Sequence, residues 1–511
     1  MRRSLPIFYS TLMLTAVNLL LRFVSTSFQV FISARIGPEG IGLLQLVLSV
    51  GTLSLTAGMA GVRTATMYLT AEELGKRKPQ NITWILRGCF LYSISISTAV
   101  ALILHSAAPY IAHHWIGNMD TVNAIRIYAC FLPIVCLTGC MTGYFTGANR
   151  IITLAGIEII EQLCYMVITM VALLLWAENN AQKACAAIVL GSGISSSITL
   201  VLLLWIRMHH RPKSAPRLSV RKRLAHLAVP LALGDNLKVG INTVENLMVP
   251  KRLALYPLEA APLGTFGTVV GMVFPILMFP AAILYALAEL LIPELARCNA
   301  EGSSRRIRYL VRKSIRLSAL YGFLCAGILY LTAEPLCLHL YNNHDAGKYL
   351  RIYSLLIPML YCDAITDAMI KGLGQQAVSV RYNILTSLMD VTFLFLLLPK
   401  YGMRGYFLSF LITHFINFCL SIRRLLFISR VRLTLLSPFI LLTASMVATQ
   451  GATLLSSSVQ KILAYVIILG CLLVLFRVIG KADFIWMKKL IANKNYSVNK
   501  HAKQVHVFSC E

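Results

Sequence analysis

The sequence predicts an all-α integral membrane protein of about fourteen transmembrane helices. Two six-helix lobes, related as parallel repeats, are expected around a central cavity, with two more helices after them. Three observations carry that expectation. The 511-residue chain is 57% hydrophobic and 13% charged, and its apolar residues come in runs long enough to cross a bilayer, which takes about 20 residues at 1.5 Å each. Its basic residues collect on alternate loops. Its motifs also recur: Arg126-Ile127-Tyr128, Pro133 and Gly147 return as Arg351-Ile352-Tyr353, Pro358 and Gly372, each 225 positions later, as Gly42 returns as Gly267.

In chain order the apolar runs cover approximately 7–33, 41–70, 84–108, 122–147, 151–176, 184–206, 226–250, 264–292, 315–333, 350–371, 380–398, 404–422, 433–451 and 459–478. The first resembles a signal peptide in its flanking arginines, but it is long and no small-residue cleavage site follows, so it reads as a retained span. The short alternating segments of a transmembrane barrel are absent from the sequence. The eighth run holds Pro275 and Pro280, which remove backbone hydrogen bonds and bend the helix. The expected organisation is therefore a lobe over 1–206, a basic linker over 207–225, a second lobe over 226–422, two additional helices within 433–478, and a polar tail over 479–511.

With fourteen spans, about 33 of the 47 Lys and Arg fall on the side of both termini and about 10 on the other. The positive-inside rule then places both termini in the cytoplasm. The net charge of +27 is spread over many loops, which fits attraction to anionic membrane lipids and excludes a nucleic-acid interface. Cysteines such as Cys130, Cys136, Cys140, Cys164, Cys325, Cys419 and Cys471 lie inside apolar runs. They read as small buried hydrophobes, and no metal-ligand spacing occurs.

The seventh run is too polar to be an inert span. Asp235, Lys238, Asn242 and Glu245 follow one another at i, i+3, i+7 and i+10 and share one helix face. Each charge at mid-membrane costs roughly 2.5–3.5 kcal/mol, so such a stripe is expected to face a wet cavity. An internal Asp235–Lys238 ion pair is the bland alternative. Asn18, Arg22, Ser25 and Gln29 make a second stripe on the first run, and Arg63 stands beside Gly58 and Gly61 on the next. Guanidinium groups at Arg22 and Arg63, with the Lys238 ammonium, suit a phosphorylated substrate, although either arginine could instead snorkel to an interface. Carboxylates form the other group: Glu158, Glu161, Glu245, Glu289, Asp363, Asp367 and Asp390. Asp363 and Asp367, one turn apart, and Glu245 are candidates for holding a coupling Na+ or H+. For each carboxylate, coupling and structural pairing both stay open; Asp390 could instead lie near the outer interface and Glu289 near the inner one, and His414 and Asn417 are expected as packed polar residues. His113 and His114, adjacent on a helix, are expected to point apart. The chain lacks a P-loop, G-x-S-x-G or H-E-x-x-H motif, so no catalytic residue, metal or soluble cofactor is implied.

Three stretches, QVFISARIGPEGIGLLQLV (29–47), AVPLALGDNLKVGINTVENLMVPKRL (228–253) and LPKYGMRGYFLS (398–409), are similar to the stage V sporulation protein B group. That group belongs to the polysaccharide exporters of the multidrug/oligosaccharidyl-lipid/polysaccharide flippase superfamily, and the similarity runs over roughly 10–430. The resemblance implies fourteen helices, a V-shaped cavity, and movement of undecaprenyl-diphosphate-linked peptidoglycan precursor (lipid II) or a related lipid-linked oligosaccharide in sporulation and cell-wall synthesis. Other envelope-synthesis proteins are implied as partners. Relatives often carry Arg where this chain has Gln29, and Asn-x-x-Asp where it has Asn242-x-x-Glu245. Two other readings stand beside it: a cation-coupled multidrug antiporter, which predicts an acid-lined cavity, and a non-transporting scaffold, which predicts dry, mutually paired charges.

Overall fold

A computed structural model describes residues 4–76, 78–176, 181–209, 221–431 and 436–476. Most of the basic linker and the tail 479–511 lie outside the described residues. Among those described there is no strand. The helices are α1 (Ser4–Met59), α2 (Val62–Gly75), α3 (Ile82–Tyr110), α4 (Val122–Gly147), α5 (Ile151–Trp176), α6 (Ala181–His209), α7 (Arg221–Leu253), α8 (Pro262–Phe266), α9 (Phe274–Met278), α10 (Ala281–Ala300), α11 (Ser304–Tyr341), α12 (His344–Ser354), α13 (Ile357–Gly372), α14 (Gln376–Tyr401), α15 (Met403–Ser429), α16 (Leu436–Thr453) and α17 (Ser458–Leu475).

Among the described residues, nine helices are long and apolar enough to cross a membrane, or eleven if each of two bent pairs is one span. The expected count of fourteen is not reached on those criteria, for local reasons. The stretch Leu19–Gly75 counts once although it runs 57 residues, about 85 Å of helix against a hydrocarbon core of about 30 Å. It is broken at Gly37 (φ 74°, ψ 177°), just before Pro38, and again at Ala60 and Gly61, both at positive φ. Helix α7 fails the test because its polar stripe offsets its apolar residues. The described apolar part of α16 is short, Phe439–Thr453.

The bent pairs have identifiable causes. Helices α8 and α9 enclose a π-helical turn, Gly267–Val273, and meet α10 at 61° beside Pro280. Helices α12 and α13 meet at 58°, where Pro358 opens the second of them. Helix α11 is longer than the apolar run within it, because Arg305, Arg306, Arg308, Arg312, Lys313 and Arg316 continue the helix instead of forming a loop. Such side chains favour helix and can snorkel at its end.

Helices α3 to α6 pack on one another and on α1 and α2, while α10 to α15 pack together around α13; α16 and α17 pair and lie on α11. Helix α7 touches both sets, packing on α1, α2 and α14. The 225-residue spacing reappears in the contacts. A side chain on Gly42 would strike the Leu263 carbonyl, and one on Gly267 would strike the Pro38 carbonyl; 38 pairs with 263 as 42 does with 267. Likewise Gly147 abuts Met67 and Thr70, and Gly372 abuts Ile292 and Leu295. Equivalent glycines thus allow equivalent close helix approaches.

Cys136, Cys140 and Cys325 are buried as expected, whereas Cys130, Cys419 and Cys471 lie on exposed faces. In a membrane protein such a face can meet lipid, so a small apolar side chain is equally at home there.

Candidate functional site

Two cavities meet at Arg22. The first, of about 540 Å³, lies between α1 and α5 and includes Arg22, Ser25, Gln29, Glu158, Glu161 and Gln162 in its wall. The second, of about 470 Å³, lies among α10, α13, α14 and α15 and includes Arg22, Glu289, Asp363, Asp367, Lys371 and His414. Arg22 is exposed, and its guanidinium stands over the Tyr285 ring at 4.5 Å. It has no carboxylate partner among the described residues. The position-to-position spacing on α1 explains the wall: residues 22, 25 and 29 fall on one helix face.

The structure brings Arg22 and Gln29 together as the stripe on α1 implies. Arg63 is exposed, and its charge reaches Glu158 on the first cavity's wall. Asp235, Lys238 and Asn242 are not in the lining of either cavity, but all three are exposed. Asp235 and Lys238 form no ion pair among the described residues, contrary to the bland alternative. Helix α7 is instead exposed on two opposite sides. Val229, Leu233, Leu237 and Val244 mark an apolar side at 47%, 69%, 52% and 54% exposure, and the three polar residues mark the other. The apolar side suits lipid, and the polar side requires water.

The carboxylates separate into three groups. Asp367 is engaged by Lys371 at 2.5 Å and by the Ser379 hydroxyl, whereas Asp363 accepts from Asn417 Nδ2 at 2.9 Å. The two therefore hold different partners, although both face the second cavity. Asp363 Oδ1 is buried with no partner. Glu161 accepts from the Ser196 hydroxyl at 3.0 Å. The third group is one that the sequence does not announce. Asp390 of α14 is buried, 6% exposed, and its charge acts on Glu245 of α7, the helix against which α14 packs. Ser409 and Thr413 of α15 donate to Asp390 Oδ1 at 2.5 and 3.2 Å. Two neighbouring carboxyl groups can hold a shared proton or a cation between them. The partner sits on a distant helix, and no local pattern links the two.

Two smaller expectations also resolve. His414 borders the second cavity with its ring stacked on Phe410 at 3.8 Å. The His113 and His114 rings do not point apart: their Nδ1 atoms are 3.3 Å from each other, because Ile111–Ile116 winds as a π-helical turn.

By count of the charged groups in both cavity walls, five carboxylates face two cations, Arg22 and Lys371. The cavity is therefore richer in acid than the sequence expectation of three clustered cations.

Comparison with known proteins places this architecture. Residues 32–344, more than half the chain, match the family model described as polysaccharide biosynthesis protein. Stage V sporulation protein B of Bacillus subtilis (strain 168) is 21% identical over 412 residues, covering 77% of this chain and 79% of that protein. Sporulation protein YkvU of the same organism is 21% identical over 339 residues, covering 63% and 72%. In fold, the chain is similar to the lipid II flippase MurJ in an inward closed conformation, with TM-score 0.66 and 13% identity over 93% of this chain and 100% of that one. It is equally similar to an inward-facing multidrug resistance MATE family transporter of the MOP superfamily, with TM-score 0.66 and 14% identity over 81% and 99%. This chain, a multi-pass α-helical membrane protein with the fold of those transporters, belongs to the polysaccharide biosynthesis protein family.

Proposed function

We propose that this protein is an alternating-access flippase for a lipid-linked oligosaccharide, with lipid II or a close relative as its substrate, and that both of its termini lie in the cytoplasm. The observation that carries the reading is Arg22, an arginine at the junction of two cavities with no carboxylate partner among the described residues. A guanidinium so placed offers two parallel hydrogen bonds to a diphosphate. Gln29 supplies amide contacts and Arg63 flanks the first cavity, while Asp235, Lys238 and Asn242 offer exposed polar groups on α7, outside both cavity walls. Glu245, Asp363 and Asp367, together with Asp390, are the proposed residues for a coupling Na+ or H+. The relative named stage V sporulation protein B supports a role in sporulation. The match to MurJ covers 93% of this chain against 81% for the MATE transporter, which supports the flippase end of the superfamily.

The acid-rich wall favours a second reading, cation-coupled export of a positively charged compound, and the MATE likeness supports it. Proteoliposomes separate the two. The flippase reading expects translocation of a fluorescent undecaprenyl-diphosphate sugar, reduced at least tenfold by Arg22→Ala. Accumulation of a cationic dye with no lipid translocation would establish the antiporter instead.

A further inference from the structure

A third cavity, of about 550 Å³, opens at the end of the molecule to which α7 leads, between the 254–261 connection, α12 and the α14–α15 turn. On the proposed topology this is the outer face. Its walls are aromatic: Tyr256, Tyr349, Tyr401 and Phe407. The Tyr256 ring lies against Gly402, where any side chain would collide with it, so a residue at φ +57° without a Cβ seats that ring. Four charges stand among the rings, Glu259, Asp345, Lys348 and Arg404. Glu259 is held by the Thr265 hydroxyl at 2.7 Å, and Lys348 pairs with Asp345 at 2.9 Å. Tyr353 also borders the cavity. It is 1% exposed, and its hydroxyl is buried without a hydrogen-bond partner.

These features select a ligand class. Two carboxylates against two cations sum to zero, which disfavours both a diphosphate and a bare cation. Flat aromatic faces accept the C–H face of a sugar ring, while carboxylates and cationic donors at its edge satisfy hydroxyl and amide groups. The volume is within the usual range for a small-molecule site, about 300–1,000 Å³.

We propose that this pocket of α12 and its flanking loops binds a neutral pyranose, one or two rings long, and so receives the glycan head group on the outer side. The proposal rests on the flippase reading for its biological meaning, and on the pocket alone for the binding itself. Titration of the full chain in nanodiscs with the β-linked disaccharide of N-acetylglucosamine, read by saturation-transfer NMR, tests it. Saturable binding is expected, weakened about tenfold by Tyr401→Ala and by Glu259→Gln. No saturable binding, or equal binding by wild type and the two pocket variants, overturns the proposal. The two readings fail separately: sugar binding without lipid translocation removes the flippase reading alone, and translocation without sugar binding removes this one alone.

Discussion

Arg22 sits where a purely structural arginine would have an acidic partner. Its charge is instead accompanied by the Tyr285 ring, an interaction worth roughly 0.5–2 kcal/mol and compatible with ligand binding. Arg22→Ala is expected to leave the unfolding midpoint in detergent within about 2 °C, because the side chain is exposed, while removing translocation. Arg22→Lys should recover part of the activity, since an ammonium keeps the charge and loses the bidentate fork. The Glu245–Asp390 pair gives a separate expectation. Glu245→Gln and Asp390→Asn keep the size and the Ser409 and Thr413 contacts but cannot hold a cation between them. Transport by either variant should lose its dependence on a Na+ or pH gradient, measured by imposing each gradient across proteoliposomes. The two sites were unequally legible. Arg22 and Gln29 announce themselves because helical periodicity places them on one stripe. Asp390 does not, because its partners on α7 and α15 come from tertiary packing that no local pattern encodes.

At the scale of elements, α7 is the helix that joins the two sets of spans. Its first turn is tied to the end of α2, where Arg223 meets Glu72 and Glu73 at 2.7 and 3.0 Å. At the other end of α2, Gly61 has φ +73° and faces the Ala228 carbonyl further along α7. Glycines sort by what surrounds them. Gly267→Ala, against the Pro38 carbonyl, should cost about 1–3 kcal/mol through overpacking. Gly240→Ala, with nothing within 4 Å of the new methyl, should be neutral or stabilising by up to about 1 kcal/mol. Thermal unfolding of the two variants in one detergent checks the contrast. The exposed polar side of α7 is tested by Lys238→Cys and Asn242→Cys. Both should react with a membrane-impermeant thiol reagent, and protection of both would mean that the stripe is dry. The existence of this helix was readable from its length and its polar stripe. Its failure as an apolar span has the same cause, since residues that face water reduce its mean hydropathy. The bends in α8–α10 and α12–α13 were legible only in part: proline marks where a helix can break, whereas the angle is set by packing.

For the whole molecule, the repeat visible in the motifs returns in three dimensions at Gly42 with Gly267 and at Gly147 with Gly372. Small residues recur where helices approach closely, and a spacing of that kind survives in sequence because any side chain there would collide. The polarity of the cavity was less legible. Stripes identify which residues face inward within each helix, but they do not say which helices share a cavity, so Lys238 stands apart from Arg22 and the wall that does form is rich in carboxylates. The most direct measurement of the central claim is exposure of lipid II on the outer leaflet in cells depleted of their own flippases. Expression of this chain should restore exposure, and Arg22→Ala at equal membrane abundance should not. Equal restoration by both proteins, or none by the correctly inserted wild type, would contradict a lipid II flippase built around Arg22.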